Sequence, residues 1–133
     1  LGLPGVQTLL PATFTGAVVE RGMAAEQWVK LVSARPAEIF GLAPRKGRLT
    51  VGADADLVLF DPERRWTVTV DDHLHRQPWT PYEGKILQGR VVRTVRRGET
   101  IYDDAATGEG RVPAAPGSGR FLARRPAPAP APA

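Results

Sequence analysis

The chain has 133 residues, a formal net charge of +4 and a sequence pI near 10.1. No apolar run approaches the length of a membrane span, and no charged segment followed by an apolar one indicates a signal peptide. The absence of cysteine excludes disulfides and thiolate metal sites, and we expect a cytoplasmic protein. Although the pI is basic, the arginines are scattered without interleaved aromatic residues, so we expect neither nucleic acid nor a membrane as partner.

The length suits one domain of ordinary size. The first residue is Leu1 rather than Met, and the residues after it already read as the middle of a domain. We therefore expect a segment of a longer protein.

The first predicted helix runs from Thr8 to about Gly22. Pro11 is compatible with it if Thr8 caps the helix, because Pro is tolerated in the first turn. Gly22 is a plausible C-terminal stop. Four apolar residues spaced four apart form the predicted buried stripe: Val6, Leu10, Phe14 and Val18.

A second helix is predicted between Ala24 and Leu42, with Trp28, Leu31 and Val32 on one face. We expect Pro36 to interrupt it, because a residue that precedes proline is pushed out of helical geometry. Pro36 then opens a short helix that ends at Gly41.

The region from about Leu49 to Asp104 is rich in strand formers. The apolar run of residues 57–60 predicts a strand buried on both faces. Residues 66–70 alternate tryptophan or valine with threonine, which predicts a separate, half-buried strand. Residues 86–97 and 100–102 flank a tight turn and predict a hairpin.

The segment from Ala105 onward is dominated by Gly, Pro and Ala and ends in a Pro-Ala repeat. Such a composition cannot bury enough apolar surface to offset its chain entropy. We expect an extended, disordered tail.

His73 and His75 form the most tempting motif for chemistry. Alternate residues of a strand project to the same face, and two neutral imidazoles make half of a zinc site. These are, however, the only two histidines, and they lie between Asp71-Asp72 and an Arg-Gln-Pro sequence typical of a loop. We therefore predict no metal ligand in this chain.

Asp54 and Asp56 could form a pair of catalytic carboxylates, which would need a pocket that separates their two pKa values. Next to Gly52 they are more typical of residues that support a turn before a strand. No phosphate-binding loop and no serine or cysteine nucleophile motif is present either. We predict no catalytic residue here.

Several stretches together resemble the C-terminal third of cyclic amidohydrolases, the group of dihydroorotases, allantoinases and hydantoinases. They are Leu-Gly-Leu-Pro-Gly-Val-Gln (1–7), Ser-Ala-Arg-Pro-Ala-Glu-Ile-Phe-Gly-Leu (33–42), Lys-Gly-Arg-Leu-Thr-Val-Gly-Ala-Asp-Ala-Asp-Leu-Val (46–58), Trp-Thr-Pro-Tyr-Glu-Gly (79–84) and the run of residues 89–98. The resemblance covers roughly residues 1–104.

The resemblance implies an α/β plus β fold, namely the C-terminal end of a (β/α)8 metallo-dependent hydrolase barrel followed by part of a small β-sandwich. Residues 1–44 would be the terminal helices of the barrel, residues 45–104 the partial sandwich, and residues 105–133 the tail.

For the intact enzyme, the resemblance implies a homo-oligomer, a dimer or tetramer, with one or two divalent metals, usually zinc. The metal ligands and the catalytic aspartate would precede Leu1, so the fragment itself is expected to be inactive. Leu1 and Gly2 correspond to positions whose backbone contacts the cyclic amide substrate. A non-catalytic scaffold on the same fold is the alternative.

The substrate class is harder to read. Gln7 stands where many dihydroorotases and hydantoinases carry Glu, and in that respect it resembles allantoinases. Residues 119–122 also resemble an allantoinase ending. We expect an allantoinase- or dihydroorotase-like specificity, with dihydropyrimidinase-like activity close behind.

Overall fold

A computed structural model describes residues 2–105 and 111–124 of the chain. Three short helices come first, and a three-stranded antiparallel sheet follows them. The order of helices before strands confirms the sequence prediction. In this described part, no helix combines the length and the apolar composition that crossing a membrane requires.

The first helix, α1, spans Leu9–Phe14 and continues as a wider turn over Thr15–Val19. It ends before Gly22, whose φ of 68° is the left-handed conformation expected at a helix C-terminus. The Thr8 side chain does not cap the helix; its hydroxyl donates instead to the Gly5 carbonyl at 3.3 Å. The predicted stripe is wrong at its first member, because Val6 precedes the helix and is 93% exposed.

Helix α2, Ala25–Val29, leads through a wide turn at Lys30–Ala34 into α3, Arg35–Ile39. The predicted interruption at Pro36 is wrong, since Arg35 keeps helical angles. A proline inside a helix normally clashes with the preceding turn. Here that turn is widened, with the Arg35 amide bonded to the Lys30 carbonyl, and a widened turn accommodates the proline ring.

Strand β1, Leu57–Thr67, pairs with β2, Ile86–Arg96, which pairs in turn with β3, Glu99–Asp103. The two strands predicted before the hairpin are one strand, whose register shifts between Asp61 and Arg65 where Pro62 lies. The expected burial of residues 57–60 on both faces is also wrong. Val58 is 49% exposed and its neighbour Leu59, which points to the opposite face of the strand, is 44% exposed, so neither face is fully covered.

The predicted hairpin is confirmed. Arg96 pairs with Glu99, so Arg97 and Gly98 form a two-residue loop. Both have positive φ, 51° and 82°, as a type I′ turn requires. The described part of the tail contacts this hairpin, because the Arg96 guanidinium donates to the Ser118 hydroxyl at 2.7 Å. The end of the Pro-Ala repeat lies outside the described residues, and the expected disorder stays a prediction.

Three aromatic rings join the helices to the sheet. Phe14, Trp28 and Phe60 lie with ring centroids 5.1–5.4 Å apart, at distances that favour edge-to-face and tilted contacts. The Thr15 hydroxyl accepts from the Gln88 amide at 2.9 Å, and its single hydrogen lies within reach of the carbonyls of Pro11 and Gln88, at 2.8 and 3.0 Å. The first helix is therefore fixed to the central strand by packing and by hydrogen bonds.

Candidate functional site

The loop of residues 2–7 precedes α1 and contains the described part of the predicted substrate contact. Gly2 is exposed, has a φ of 150° that favours glycine, and faces open space. Leu1, the other predicted contact, lies outside the described residues. The end of this loop, in contrast, is held by contacts with other described residues.

Gln7 makes the contact that joins this loop to the sheet region. Its Nε2 donates to the Asp72 carbonyl at 2.8 Å, and its Oε1 accepts from the Leu74 amide at 2.9 Å. One side chain thus pairs with a backbone carbonyl and a backbone amide of the loop that follows β1. From the sequence, Gln7 was only a clue to the substrate. Its two partners lie 65 and 67 residues further along the chain, so no pattern of neighbouring residues indicates the contact.

His73 and His75 lie in that same loop, and their rings stack with centroids 4.5 Å apart and an interplanar angle of 26°. All four ring nitrogens are shielded from solvent and have no hydrogen-bond partner among the described residues. Burial lowers the pKa of His73, and the neighbouring His75 lowers it further. The His73 imidazole is therefore favoured in its neutral form.

A metal centre of the kind that the resemblance implies does not fit the side chains present. In residues 2–105 and 111–124, no group of three or more His, Cys, Asp or Glu side chains could hold a metal ion. The two stacked imidazoles lack the additional ligands that a zinc site requires.

Asp54 and Asp56 meet at the Lys46 ammonium, which lies 2.8 Å from Asp54 and in direct contact with Asp56. Asp56 also accepts a 2.7 Å hydrogen bond from the backbone amide of Arg97 at the hairpin turn. Burial opposes ionisation of Asp56, but the hydrogen bonds from Lys46 and Arg97 outweigh it and lower its pKa. Asp56 therefore joins the loop before β1 to the hairpin, whereas Asp54 pairs with Arg45 and Lys46 inside that loop.

A cluster of charges that the sequence interpretation missed lies on the sheet. The Asp104 side chain is only 3% exposed and accepts hydrogen bonds from three arginines and a tyrosine. The bonds come from Arg90 (2.9 and 3.1 Å), Arg64 (2.6 Å), Arg111 (3.1 Å) and the Tyr102 hydroxyl (2.8 Å). Burial disfavours the charged form of Asp104, yet Arg90 and the other donors hold its pKa well below the usual range.

A cavity of about 230 Å³ lies between the N-terminal loop and the sheet. Gln7 and Leu74 line it on the loop side, and Arg90 and Tyr102 line it on the sheet side. The Arg90 guanidinium lies 4.6 Å from the centre of the Trp66 ring, which also faces this cavity. The cavity thus adjoins both the Gln7 contact and the Asp104 cluster.

The chain belongs to the amidohydrolase family, whose model, described as "Amidohydrolase family", matches residues 3–102. Within that family, the chain is 42% identical over 127 residues to the D-phenylhydantoinase of Escherichia coli (strain K12 / DH10B), covering 94% of this chain and 26% of the relative. These matches confirm the resemblance to cyclic amidohydrolases read from the sequence.

The structural neighbours are also hydantoinases. The D-hydantoinase (dihydropyrimidinase) from Thermus sp. matches with a TM-score of 0.83 and 31% identity over 92% of this chain and 26% of the neighbour. The L-hydantoinase (dihydropyrimidinase) from Arthrobacter aurescens matches with a TM-score of 0.72 and 31% identity over 77% of this chain and 23% of the neighbour. The chain thus spans about a quarter of the length of its relatives.

Proposed function

We propose that this chain is the C-terminal part of a metal-dependent hydrolase that opens cyclic amides. The observation that carries the proposal is the 42% identity to D-phenylhydantoinase, which extends over 127 residues. The structural match to hydantoinases over most of the chain supports the same reaction class. In this proposal, residues outside the chain supply the metal ligands and the catalytic base.

In the intact protein, we place residues 1–44 at the end of a (β/α)8 barrel and residues 45–104 in a β-sandwich. The reactive sites of such barrels form from the loops at the C-terminal ends of their strands. A loop in that position would present Leu1 and Gly2 to the substrate. The contribution of this chain to the reaction is therefore substrate contact rather than proton transfer.

For the substrate, we propose a five- or six-membered cyclic amide or ureide, with a hydantoin ring as the first choice. The similarity to a D-phenylhydantoinase and to a D-hydantoinase (dihydropyrimidinase) supports this order. The allantoinase-like specificity that Gln7 and residues 119–122 favour is the competing assignment, and a dihydroorotase-like specificity is the third. For the intact enzyme, we further propose a dimer or tetramer with one or two bound divalent metals, zinc being the first choice.

A chimera tests the proposal, with residues 1–133 replacing the matching segment of the Escherichia coli D-phenylhydantoinase. We expect the purified chimera, with zinc or manganese added, to hydrolyse 5-phenylhydantoin, with dihydrouracil, allantoin and dihydroorotate compared in parallel. The unmodified relative is the positive control. A chimera that melts cooperatively, as the relative does, but hydrolyses none of the four would contradict the enzyme and favour the scaffold alternative.

A further inference from the structure

We propose that Gln7 is a positioning residue that fixes the substrate-contacting loop, residues 2–7, to the loop of residues 72–74. The inference rests on the proposed function, because only a cyclic amide hydrolase gives the start of this loop a substrate to meet. In this role, Gln7 acts through the loop backbone and does not touch the reacting atoms.

The side-chain amide of Gln7 matches the two backbone groups that it contacts. The Asp72 carbonyl accepts from Gln7 Nε2, and the Leu74 amide donates to Gln7 Oε1, at 2.8 and 2.9 Å. Both partners are backbone groups, so the contact does not depend on which side chains the loop carries. A two-point contact also fixes orientation, which a single hydrogen bond does not.

The contact requires a side chain with one donor and one acceptor. A glutamate at residue 7 keeps the acceptor for the Leu74 amide but places a second carboxylate oxygen against the Asp72 carbonyl. A methionine keeps the length and removes both polar groups. The contact therefore suits glutamine at residue 7 better than glutamate, a preference that the neighbouring residues do not reveal.

The Gln7 contact lies five residues along the chain from Gly2, the described residue of the proposed substrate contact. Next to Gln7, Thr8 is fully buried, and its hydroxyl donates to the Gly5 carbonyl within the same loop. The end of the loop is therefore held twice. Because so short a loop connects Gln7 to Gly2, a displacement of the held end would shift the residues that we propose to meet the substrate.

The test uses the chimera described above, with Gln7→Met and Gln7→Glu compared with wild type. We expect each variant to raise KM about 3- to 10-fold at neutral pH, the range for one or two hydrogen bonds, with kcat and Tm little changed. Gln77→Glu is the matched control, because Gln77 is exposed and lies three residues beyond Leu74. A role limited to stability would lower Tm and leave KM unchanged.

Acid rescue of Gln7→Glu is the second readout. A protonated glutamic acid again offers one donor and one acceptor, so the KM of this variant should approach that of wild type as pH falls. Arg90 and Tyr102 line the same cavity as Gln7. Asp72 and His73 lie in the contacted loop, and His75 follows directly after it. We therefore compare the KM of the variant with that of wild type, as a ratio, at each pH. Both proteins carry these groups, so their effect on KM largely cancels in the ratio.

Hydrogen exchange of the Leu74 amide supplies a readout that needs no activity. We expect this amide to exchange faster in Gln7→Met than in wild type, and equally in Gln77→Glu. If the wild-type chimera is active and both Gln7 variants match it in KM and exchange, the inference is overturned while the proposed function stands. If the wild-type chimera folds without activity, the proposed function fails and the positioning role fails with it.

Discussion

The ring of Phe60 lies directly over Gly89, in the space that a side chain at residue 89 would occupy. A Cβ atom there would overlap the Phe60 ring and approach Phe14 to 3.0 Å. Gly89 also has a φ of 92°, which an L side chain rarely adopts. Two independent physical reasons thus require glycine at this point of β2, and the first of them depends on the aromatic core.

Gly89→Ala is expected to destabilise the protein by about 3 kcal/mol, because it adds overlap in a packed core to backbone strain. Gly84→Ala is the matched control: Gly84 also has positive φ, 72°, but no atom lies within 4 Å of the added Cβ. The control should lose about 1 kcal/mol from strain alone. Urea unfolding measures both, and equal losses would show that Phe60 does not constrain residue 89.

Asp104→Asn is expected to cost about 3 kcal/mol, because it leaves buried arginine charge without its counter-charge. Asp103→Asn is the neighbouring control, and we expect a smaller loss because its partner Arg93 is half exposed. The folded-state pKa of Asp104 is depressed, so its contribution is present above its unfolded pKa of about 4 and is lost as pH falls further. Acid titration should show a weaker pH dependence in Asp104→Asn below that pH, and an unchanged titration would contradict this account.

His73 is expected to make stability fall on mild acidification. The folded-state pKa of His73 is lowered, so between that value and its unfolded pKa of about 6.5 the unfolded chain binds more protons. Stability from this source is therefore present above about pH 6.5 and is lost as pH decreases. His73→Phe keeps a stacked ring without titration, and its Tm should depend less on pH.

His75→Phe is the companion variant for that measurement. It removes the neighbour that helps to lower the His73 pKa, while burial of His73 remains. We expect its pH dependence to lie between those of wild type and His73→Phe. Identical Tm profiles for all three proteins would show that the stacked pair does not titrate on folding.

The 133-residue chain by itself is expected not to hydrolyse 5-phenylhydantoin, allantoin or dihydroorotate when zinc is supplied. Across the described ranges, no set of three metal-ligating side chains converges, and the two histidines stack on each other. A product assay with the D-phenylhydantoinase relative as positive control measures this directly. Turnover by the isolated chain that rises with added zinc would contradict it.

The isolated chain is also expected to self-associate through β1. This strand is an edge of the described sheet and exposes Val58 and Leu59, and an exposed apolar edge favours pairing with another chain. Leu59→Lys should reduce the association seen by light scattering. Leu49→Lys is the control, because Leu49 is more exposed but lies outside the strands, and an equal effect of both changes would exclude the edge as the cause.

The sequence by itself determined the features that depend on neighbouring residues. Arg97 and Gly98 predicted the hairpin turn, and Gly22 and Gly41 predicted the helix ends, because positive φ is a local preference of the backbone. The ordered stretches between residues 1 and 104 were sufficient to indicate the family.

Only the tertiary structure decided the contacts between residues far apart in the chain. The carboxylate of Asp104 gathers Arg64 and Arg90, and Gln7 reaches the backbone of residues 72–74, 65 or more positions away. Pro36 remained inside a helical segment because a widened turn precedes it, and local preference alone predicted a break. Local angles follow from each residue's own sterics, whereas buried charge pairs and interlocking rings exist only after the helices pack on the sheet.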